Sequence, residues 1–252
     1  MTIKQPYEGL IPSLRRLMRE AFDDTEEFLN DFFALAYSPD RARCAVEDGE
    51  AVGALYWFDA DLEGRRIAYL YAIATAKSHR GQGVCRRLME DTHAHLVRLG
   101  YEGALLVPSE PSLFGFYARF GYAPCVPMHV ITCEAAGEGV PIRRVSADEY
   151  AALRAALLPC GGVRQDNVSI RFLESQSDLY AGDGFVLAVQ KEPDTLIADE
   201  LLGDASVAPR AVRALGYRDG RFRLSGGEPF AMIRPLGGVT IPMPSYFAIA
   251  FD

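Results

Sequence analysis

The 252-residue chain has little that would staple it, anchor it or draw it to a polyanion. Its five cysteines, Cys44, Cys85, Cys125, Cys133 and Cys160, include no C-x-x-C pair, which excludes the tight spacing of zinc knuckles and disulfide frameworks. No apolar run approaches the roughly 18–20 residues of a membrane-spanning helix. The opening Met1-Thr2-Ile3-Lys4-Gln5-Pro6-Tyr7 lacks the charged-then-apolar pattern of a signal peptide. Basic residues are outnumbered, 26 Lys+Arg against 34 Asp+Glu, so there is no basic stripe to neutralise nucleic-acid phosphates. Histidine is scarce, and His93 and His95 stand two apart on a helix, pointing different ways, so no metal set is read. These absences predict a cytoplasmic chain with no membrane or nucleic-acid partner; a homodimer stays open.

What is present reads as an α/β protein, a mixed sheet covered by helices. Leu10, Leu14, Leu17, Met18 and Ala21 fall on one helix face, and Phe28, Leu29, Phe32, Phe33 and Ala36 on a second. Between them, Asp24 followed by Glu27 resembles a capping box. Asp48-Gly49 predicts a hairpin between strands at Arg43 to Val46 and Ala51 to Phe58. Arg66 to Thr75 is apolar enough to be buried on both faces. A helix from Gly83 to Leu99, a strand from Gly103 to Val107 and a short helix carrying Leu113, Phe114 and Tyr117 follow.

The segment Ala135 to Pro141 reads as a linker, and beyond it the order begins again. Helices near Ser146 to Leu158 and Asn167 to Ser177 precede strands at Phe185 to Val189 and Thr195 to Leu202. A short helix over Pro209 to Leu215 follows, then strands at Phe230 to Arg234 and Ser245 to Phe251. The expected domains are therefore 1–134 and 141–252, the second a shortened copy of the first.

Arg80-Gly81-Gln82-Gly83-Val84-Cys85 lies between the buried strand and the long helix. Such a turn lets backbone N–H groups converge at the positive end of a helix, and so binds anions. A P-loop would need Lys and Ser/Thr after its glycine, and a dinucleotide fingerprint a third small residue where Arg86 stands. The remaining pattern is [RQ]-x-x-G-x-[GA], a coenzyme A pyrophosphate loop. Together with Tyr69-Leu70-Tyr71-Ala72-Ile73-Ala74-Thr75 before it and Phe116-Tyr117-Ala118-Arg119-Phe120-Gly121-Tyr122 after it, the segment from 67 to 122 resembles the GNAT superfamily of N-acetyltransferases. The second lobe has no counterpart of the glycine turn and resembles a degenerate copy that covers the cleft.

The resemblance implies acetyl-CoA as co-substrate and direct transfer of its acetyl group, in a ternary complex, to a primary amine of a small molecule or peptide. It implies that Ile73, Ala74 and Thr75 offer backbone groups to the acetyl carbonyl and pantetheine arm, with Ile73 as oxyanion donor. It assigns Arg80, Gly81, Gln82, Gly83, Val84 and Cys85 to the pyrophosphate, Glu110 and Phe114 to the coenzyme, and Tyr117 to protonation of the departing thiolate. Cys85 stands where Gly or Ala is usual, and Glu110 where Asn is common.

The base that takes the amine's proton is not fixed by the sequence. Asp23, Asp24, Glu26 and Glu27 are candidates at the helix junction, each also explicable as a helix-start carboxylate, and by analogy with some two-lobed members of the resembled superfamily Asp252 and the terminal carboxylate are further candidates. Asp24, Glu27, Tyr71 and Asp252 are the residues expected near the acceptor. A rival reading makes the chain an inactive acyl-CoA-binding or sensing module, indifferent to loss of the Tyr117 hydroxyl.

Overall fold

The computed structural model describes residues 1–191 and 194–251. Among the described residues, thirteen strands occur in chain order: β1 (Thr2–Lys4), β2 (Ala42–Glu47), β3 (Glu50–Leu62), β4 (Arg65–Thr75), β5 (Gly103–Leu106), β6 (Ala123–Glu134), β7 (Ile142–Arg144), β8 (Arg164–Gln165), β9 (Ser177–Gly182), β10 (Phe185–Gln190), β11 (Leu196–Gly203), β12 (Asp219–Ser225) and β13 (Glu228–Pro235). The helices are α1 (Ile11–Phe22), α2 (Glu26–Asp31), α3 (Val84–Arg98), α4 (Ser112–Ala118), α5 (Ala147–Leu157), α6 (Asn167–Gln176) and α7 (Ala208–Ala214). No helix among the described residues is long and apolar enough to cross a membrane.

One sheet runs through the molecule in the order β1-β2-β3-β4-β5-β13-β6-β12-β11-β10-β9-β7, with the two-residue β8 pairing β3 off this path. The order is palindromic. In the first half β2–β3 and β3–β4 are antiparallel and β4–β5 parallel; in the second β9–β10 and β10–β11 are antiparallel and β11–β12 parallel. Helices α3 and α7 make the crossovers that parallel neighbours require. The second half thus repeats the topology of the first.

The repeat is not two side-by-side sheets. β13, from the end of the second lobe, lies between β5 and β6 of the first, and β6 pairs with β12 of the second. The expected boundary between 134 and 141 describes chain order but not sheet order, because each lobe lends the other a strand. Gly226-Gly227 carries the chain from one edge of β6 to the other. At Gly227 (φ 93°) a Cβ would lie 2.9 Å from that of His129 and 3.0 Å from the carbonyl oxygen of Met128, so the crossing requires glycine.

Alternation along the strands feeds two layers of core. Tyr56, Phe58 and Tyr69 face a cluster shared by α1, α2, α5 and α6, whereas Leu55, Trp57, Ala68 and Leu70 face α3 and α4. The shared cluster joins the lobes through rings: Phe172 on α6 lies 5.5 Å from Phe28, 5.8 Å from Phe32 and 6.3 Å from Phe58.

Local expectations hold where turn chemistry dictates them. Asp48 and Gly49 both adopt positive φ, 49° and 82°, as do Glu63 and Gly64 at the next turn. Three expectations are corrected. The cap of α2 is Thr25, whose hydroxyl accepts from the Phe28 N–H, not Asp24. Only the first half of the second helix is α; Phe32–Ala36 forms a wider turn, closed by Tyr37 N–H donating to the Phe32 carbonyl. Residues 245–251 form no strand: apart from a single bridge between Gly162 and Tyr246, this buried segment is held by bonds outside any ladder. Strands β9 and β12, absent from the sequence reading, were visible as alternation at Leu179 and Ala181 and at Phe222 and Leu224.

His93 is buried. Arg234 on β13 donates to His93 Nδ1 (2.8 Å) and to the Phe120 carbonyl (2.7 Å), and His93 Nε2 lies 2.8 Å from the Tyr122 hydroxyl. With Nδ1 accepting, the ring is neutral, and burial beside Arg234 pushes its pKa down to about 3. Between that value and the unfolded pKa near 6.5 the unfolded chain binds the extra proton. The His93 contribution is therefore intact above pH 6.5 and is lost as pH falls, by up to about 1.4 kcal/mol per pH unit. Urea midpoints at pH 7.5 and 5 are expected to show this decline, and His93→Gln, which cannot protonate there, is expected to flatten it; an unchanged slope would refute the assignment.

Candidate active site

β4 and β5 pair in parallel only from Ile67↔Gly103 to Leu70↔Leu106; beyond that point they diverge. On the other side of β4 the register slips between Ala54↔Ala74 and Tyr56↔Tyr71, so β4 carries an extra residue, and Ala72 takes φ 47°. A bulge of this kind re-aims the backbone. It leaves Ala72 and Ile73 outside the β3–β4 register, beside a gap that β5 does not fill.

That gap is a cavity of about 410 Å³, lined on one side by Tyr71, Ala72 and Ile73, on another by Ser109, Leu113 and Tyr117, and closed by Phe22, Asp24, Ala250 and Phe251. Tyr117 is buried, its hydroxyl makes no hydrogen bond among the described residues, and burial raises its pKa. It therefore reaches the cavity as a neutral donor.

Asp24 owes its place to the cap it does not make. Asp23 ends α1 in the left-handed region (φ 60°), Thr25 caps α2, and the carboxyl between them turns inward. Its Oδ2 is buried with no partner among the described residues. Burial and the neighbouring Asp23 push its pKa up to about 6. The other junction carboxylates are placed differently: Asp23 is exposed, and Glu26 pairs with Arg15 at 2.6 Å and with Arg19.

Thr75 leads from β4 to a second cavity of about 360 Å³, lined by His79, Arg80, Gly81, Gly83, Val84, Cys85, Arg86, Phe116, Arg119 and Phe120. Gly81 and Gly83 take φ 77° and 75°, and a Cβ at either would meet nothing within 4 Å. Their φ and the open space in front, not packing, call for glycine. As a glycine N-cap, Gly83 leaves the first turn of the 15-residue α3 without a side-chain acceptor. Arg80 Nε and Gln82 Nε2 donate to the carbonyls of Thr75 (3.2 Å) and Ser78 (2.9 Å) and so hold the turn from behind. Burial pushes the Cys85 thiol up to about 11; it stays protonated at neutral pH and brings no negative charge to this cavity.

A third cavity of about 460 Å³ adjoins the first through Asp24, Ala250 and Phe251, and Glu27, Asp31, Lys191 and Asp199 also line it. Lys191 is turned onto the carbonyls of Glu174 and Ser175, the latter at 2.7 Å.

The structure thus gathers Asp24, Tyr71, Ile73 and Tyr117 in one cavity and Thr75, Arg80, Gly81, Gly83, Val84 and Cys85 in the next, with Glu27 in the third. Ala74 is buried opposite Ala54. Gln82, Phe114 and Glu110 line none of these cavities, and Glu110 accepts a hydrogen bond from Ser112. Asp252 lies outside the described residues. The sequence reading did not single out Arg86, Arg119, Ala250 or Phe251 for this site. For the arginines the signal was their place around the glycine turn and the short helix; for the last two there was none.

A bulged strand diverging from its parallel neighbour and leading to an uncapped glycine turn at a helix start defines the GNAT acyltransferase fold. Residues 2–125, just under half of the chain, match the family described as acetyltransferase (GNAT) domain. It is 30% identical over 147 residues to N-acetyltransferase Eis of Mycobacterium tuberculosis, a match covering 53% of this chain and 35% of that protein. The chain thus spans about a third of the length of the curated relatives it matches. Among solved structures, a probable N-acyltransferase from Enterococcus faecalis superposes with a TM-score of 0.72 at 14% identity, covering 93% of this chain and 72% of that one. A tandem GNAT protein from the clavulanic acid biosynthesis pathway superposes at 0.60 and 13% identity, over 95% of this chain and 100% of that one. At these identities the likeness is one of fold, and it extends across both lobes.

Proposed function

We propose that the protein transfers an acetyl group from acetyl-CoA to a primary amine. The observation that carries this is the shared cavity: a Tyr117 hydroxyl and an Asp24 carboxyl, both without partners among the described residues, meet the β4 bulge at Ala72 and Ile73 there.

The residues fit the co-substrate. The open glycine turn, the uncapped start of α3 and the guanidinium groups of Arg80, Arg86 and Arg119 suit a pyrophosphate and a further phosphate, and the gap between β4 and β5 suits the pantetheine arm. Acetyl-CoA supplies an activated acyl carbon, to which the amine nitrogen bonds as the carbon–sulfur bond breaks. The Ile73 N–H stabilises the carbonyl oxygen as it gains charge. Asp24 accepts the proton that the amine must lose, and Tyr117 donates one to the leaving sulfur. The protons balance, one taken up at Asp24 and one given by Tyr117, and both side chains are reset through solvent.

Glu27, Asp31 and Asp199 in the adjoining cavity favour an acceptor with a second positive charge, which makes 1,5-diaminopentane a suitable first probe. Coenzyme A thiol release is expected from acetyl-CoA in its presence and not in its absence. Tyr117→Phe is expected to lower kcat about 10²-fold with acetyl-CoA affinity little changed. Binding of acetyl-CoA with no amine-dependent thiol release, in the wild type and across a panel of primary amines, would favour the sensing module instead. Absence of binding by calorimetric titration would overturn both readings.

A further inference from the structure

Residues 245–251 cross the interior as a strap and end against the acceptor. Ala250 and Phe251 line both the cavity of Tyr117 and the neighbouring acidic one, and the Phe251 ring lies 5.9 Å from Tyr71, 5.2 Å from Phe58 and 5.0 Å from Phe172. Since no ladder fixes this strap, its register depends on bonds made one at a time. The carbonyl of Tyr246 accepts from the Val163 N–H (2.9 Å), that of Ala248 from Arg223 (3.0 Å), that of Ile249 from Gln165 (2.9 Å) and that of Ala250 from the Tyr69 hydroxyl.

One side-chain bond from the strap reaches a buried charge. The Tyr246 hydroxyl donates to Glu200 Oε1 at 2.9 Å, and Glu200, on β11, is fully buried. Arg154 Nε on α5 donates to both oxygens of that carboxylate, at 3.0 and 2.8 Å, and the Tyr150 hydroxyl donates to Oε2 at 2.8 Å. A buried ion pair returns little net stability for its desolvation, and geometric specificity is the role such pairs fill best. Here the specified geometry is that of the strap. The pair also lies where β11, after Ala198↔Phe222, runs on without β12, the counterpart of the gap that opens toward the glycine turn in the first lobe. In the second lobe no glycine turn follows; Asp204 occupies the corresponding turn and accepts from the Ser206 N–H.

The geometry points to the Arg154–Glu200 pair, acting through Tyr246, as a positioning device that sets Ala250 and Phe251 as the wall of the acceptor cavity. The degenerate lobe, on this account, holds the strap where its counterpart holds a coenzyme. The role in acceptor binding rests on the acetyltransferase reading; the clamp itself does not.

Two tyrosines on the same carboxylate give a matched test in the full-length protein. Tyr246→Phe removes the bond to the strap, whereas Tyr150→Phe removes an equivalent bond from the helix side and leaves the Tyr246 bond to Glu200 in place. For Tyr246→Phe we expect the KM for 1,5-diaminopentane to rise about 5- to 10-fold, with kcat and the KM for acetyl-CoA within 2-fold of wild type. Hydrogen exchange of the 245–251 amides is expected to quicken at least 10-fold relative to β4 amides, which report global opening. Tyr150→Phe is expected to leave acceptor KM and strap exchange within 2-fold. Equal effects of the two variants on these readouts, or no effect of Tyr246→Phe on exchange, would overturn the clamp. Faster strap exchange with an unmoved acceptor KM would overturn its positioning role. If the wild type acetylates no amine, the acetyltransferase reading and the acceptor role fall together, while the exchange comparison still decides the clamp.

Discussion

Replacing Asp24 by Asn is expected to reduce turnover about 10²- to 10⁴-fold, the range for loss of a positioned general base, while leaving acetyl-CoA binding intact. The substitution is nearly isosteric and removes only the charge. Because the Asp24 pKa is raised to about 6, the wild-type rate is expected to fall tenfold per pH unit below about 6 as the carboxylate protonates, and this limb should vanish in the variant. Ionisation of the acceptor amine adds its own rise at higher pH, present in both proteins. Stability moves the other way. A carboxyl whose folded pKa lies above its unfolded value destabilises the fold once both states are ionised, so Asp24→Asn should unfold at a higher temperature than wild type at pH 7.5. A less active, more stable variant separates loss of the base from loss of folding. Activity retained within threefold would sink the assignment.

Cutting the chain at its linker is expected to abolish cooperative folding. A fragment of residues 1–134 lacks β13, which pairs with both β5 and β6 and buries Ala231, Met232 and Ile233. Without that strand, β5 and β6 present facing unpaired edges around an apolar slot, a geometry prone to association. The fragment should show no sharp thermal transition and no saturable acetyl-CoA binding by calorimetry. A monomeric fragment that melts cooperatively and binds the co-substrate would show that the exchanged strand is dispensable.

How much of the site was legible depends on how locally each part is determined. The glycine turn was readable because positive φ at Gly81 and Gly83 and the start of α3 are set within a few residues. Tyr117 was readable from its spacing to Phe120-Gly121-Tyr122. Asp24 was named among four carboxylates but assigned to a cap. Only the structure shows Thr25 taking that role, which leaves Asp24 to turn inward. The strap looked like a strand because Ala248 and Ile249 are apolar, as a strand buried on both faces would be. Its burial is real, but its carbonyls bond to Arg223 and Gln165, far away in the chain.

The sequence by itself determined the α/β class, the two-lobed repeat, the hairpin at Asp48-Gly49 and the glycine turn at Arg80 to Gly83. Each of these follows from short-range sterics, hydrogen bonding and periodicity, which act between residues a few positions apart and need no knowledge of the rest of the chain. The tertiary structure decided that β13 completes the first lobe, that Phe251 lines the cavity of Tyr117, and that Asp24 alone of the junction carboxylates turns inward unpaired. Those outcomes depend on pairings between groups a hundred or more residues apart, or on which of several neighbouring polar groups claims a shared partner. An apolar run or an acidic cluster carries no label for its distant partner; the continuous sheet and the packed aromatic seam supply it.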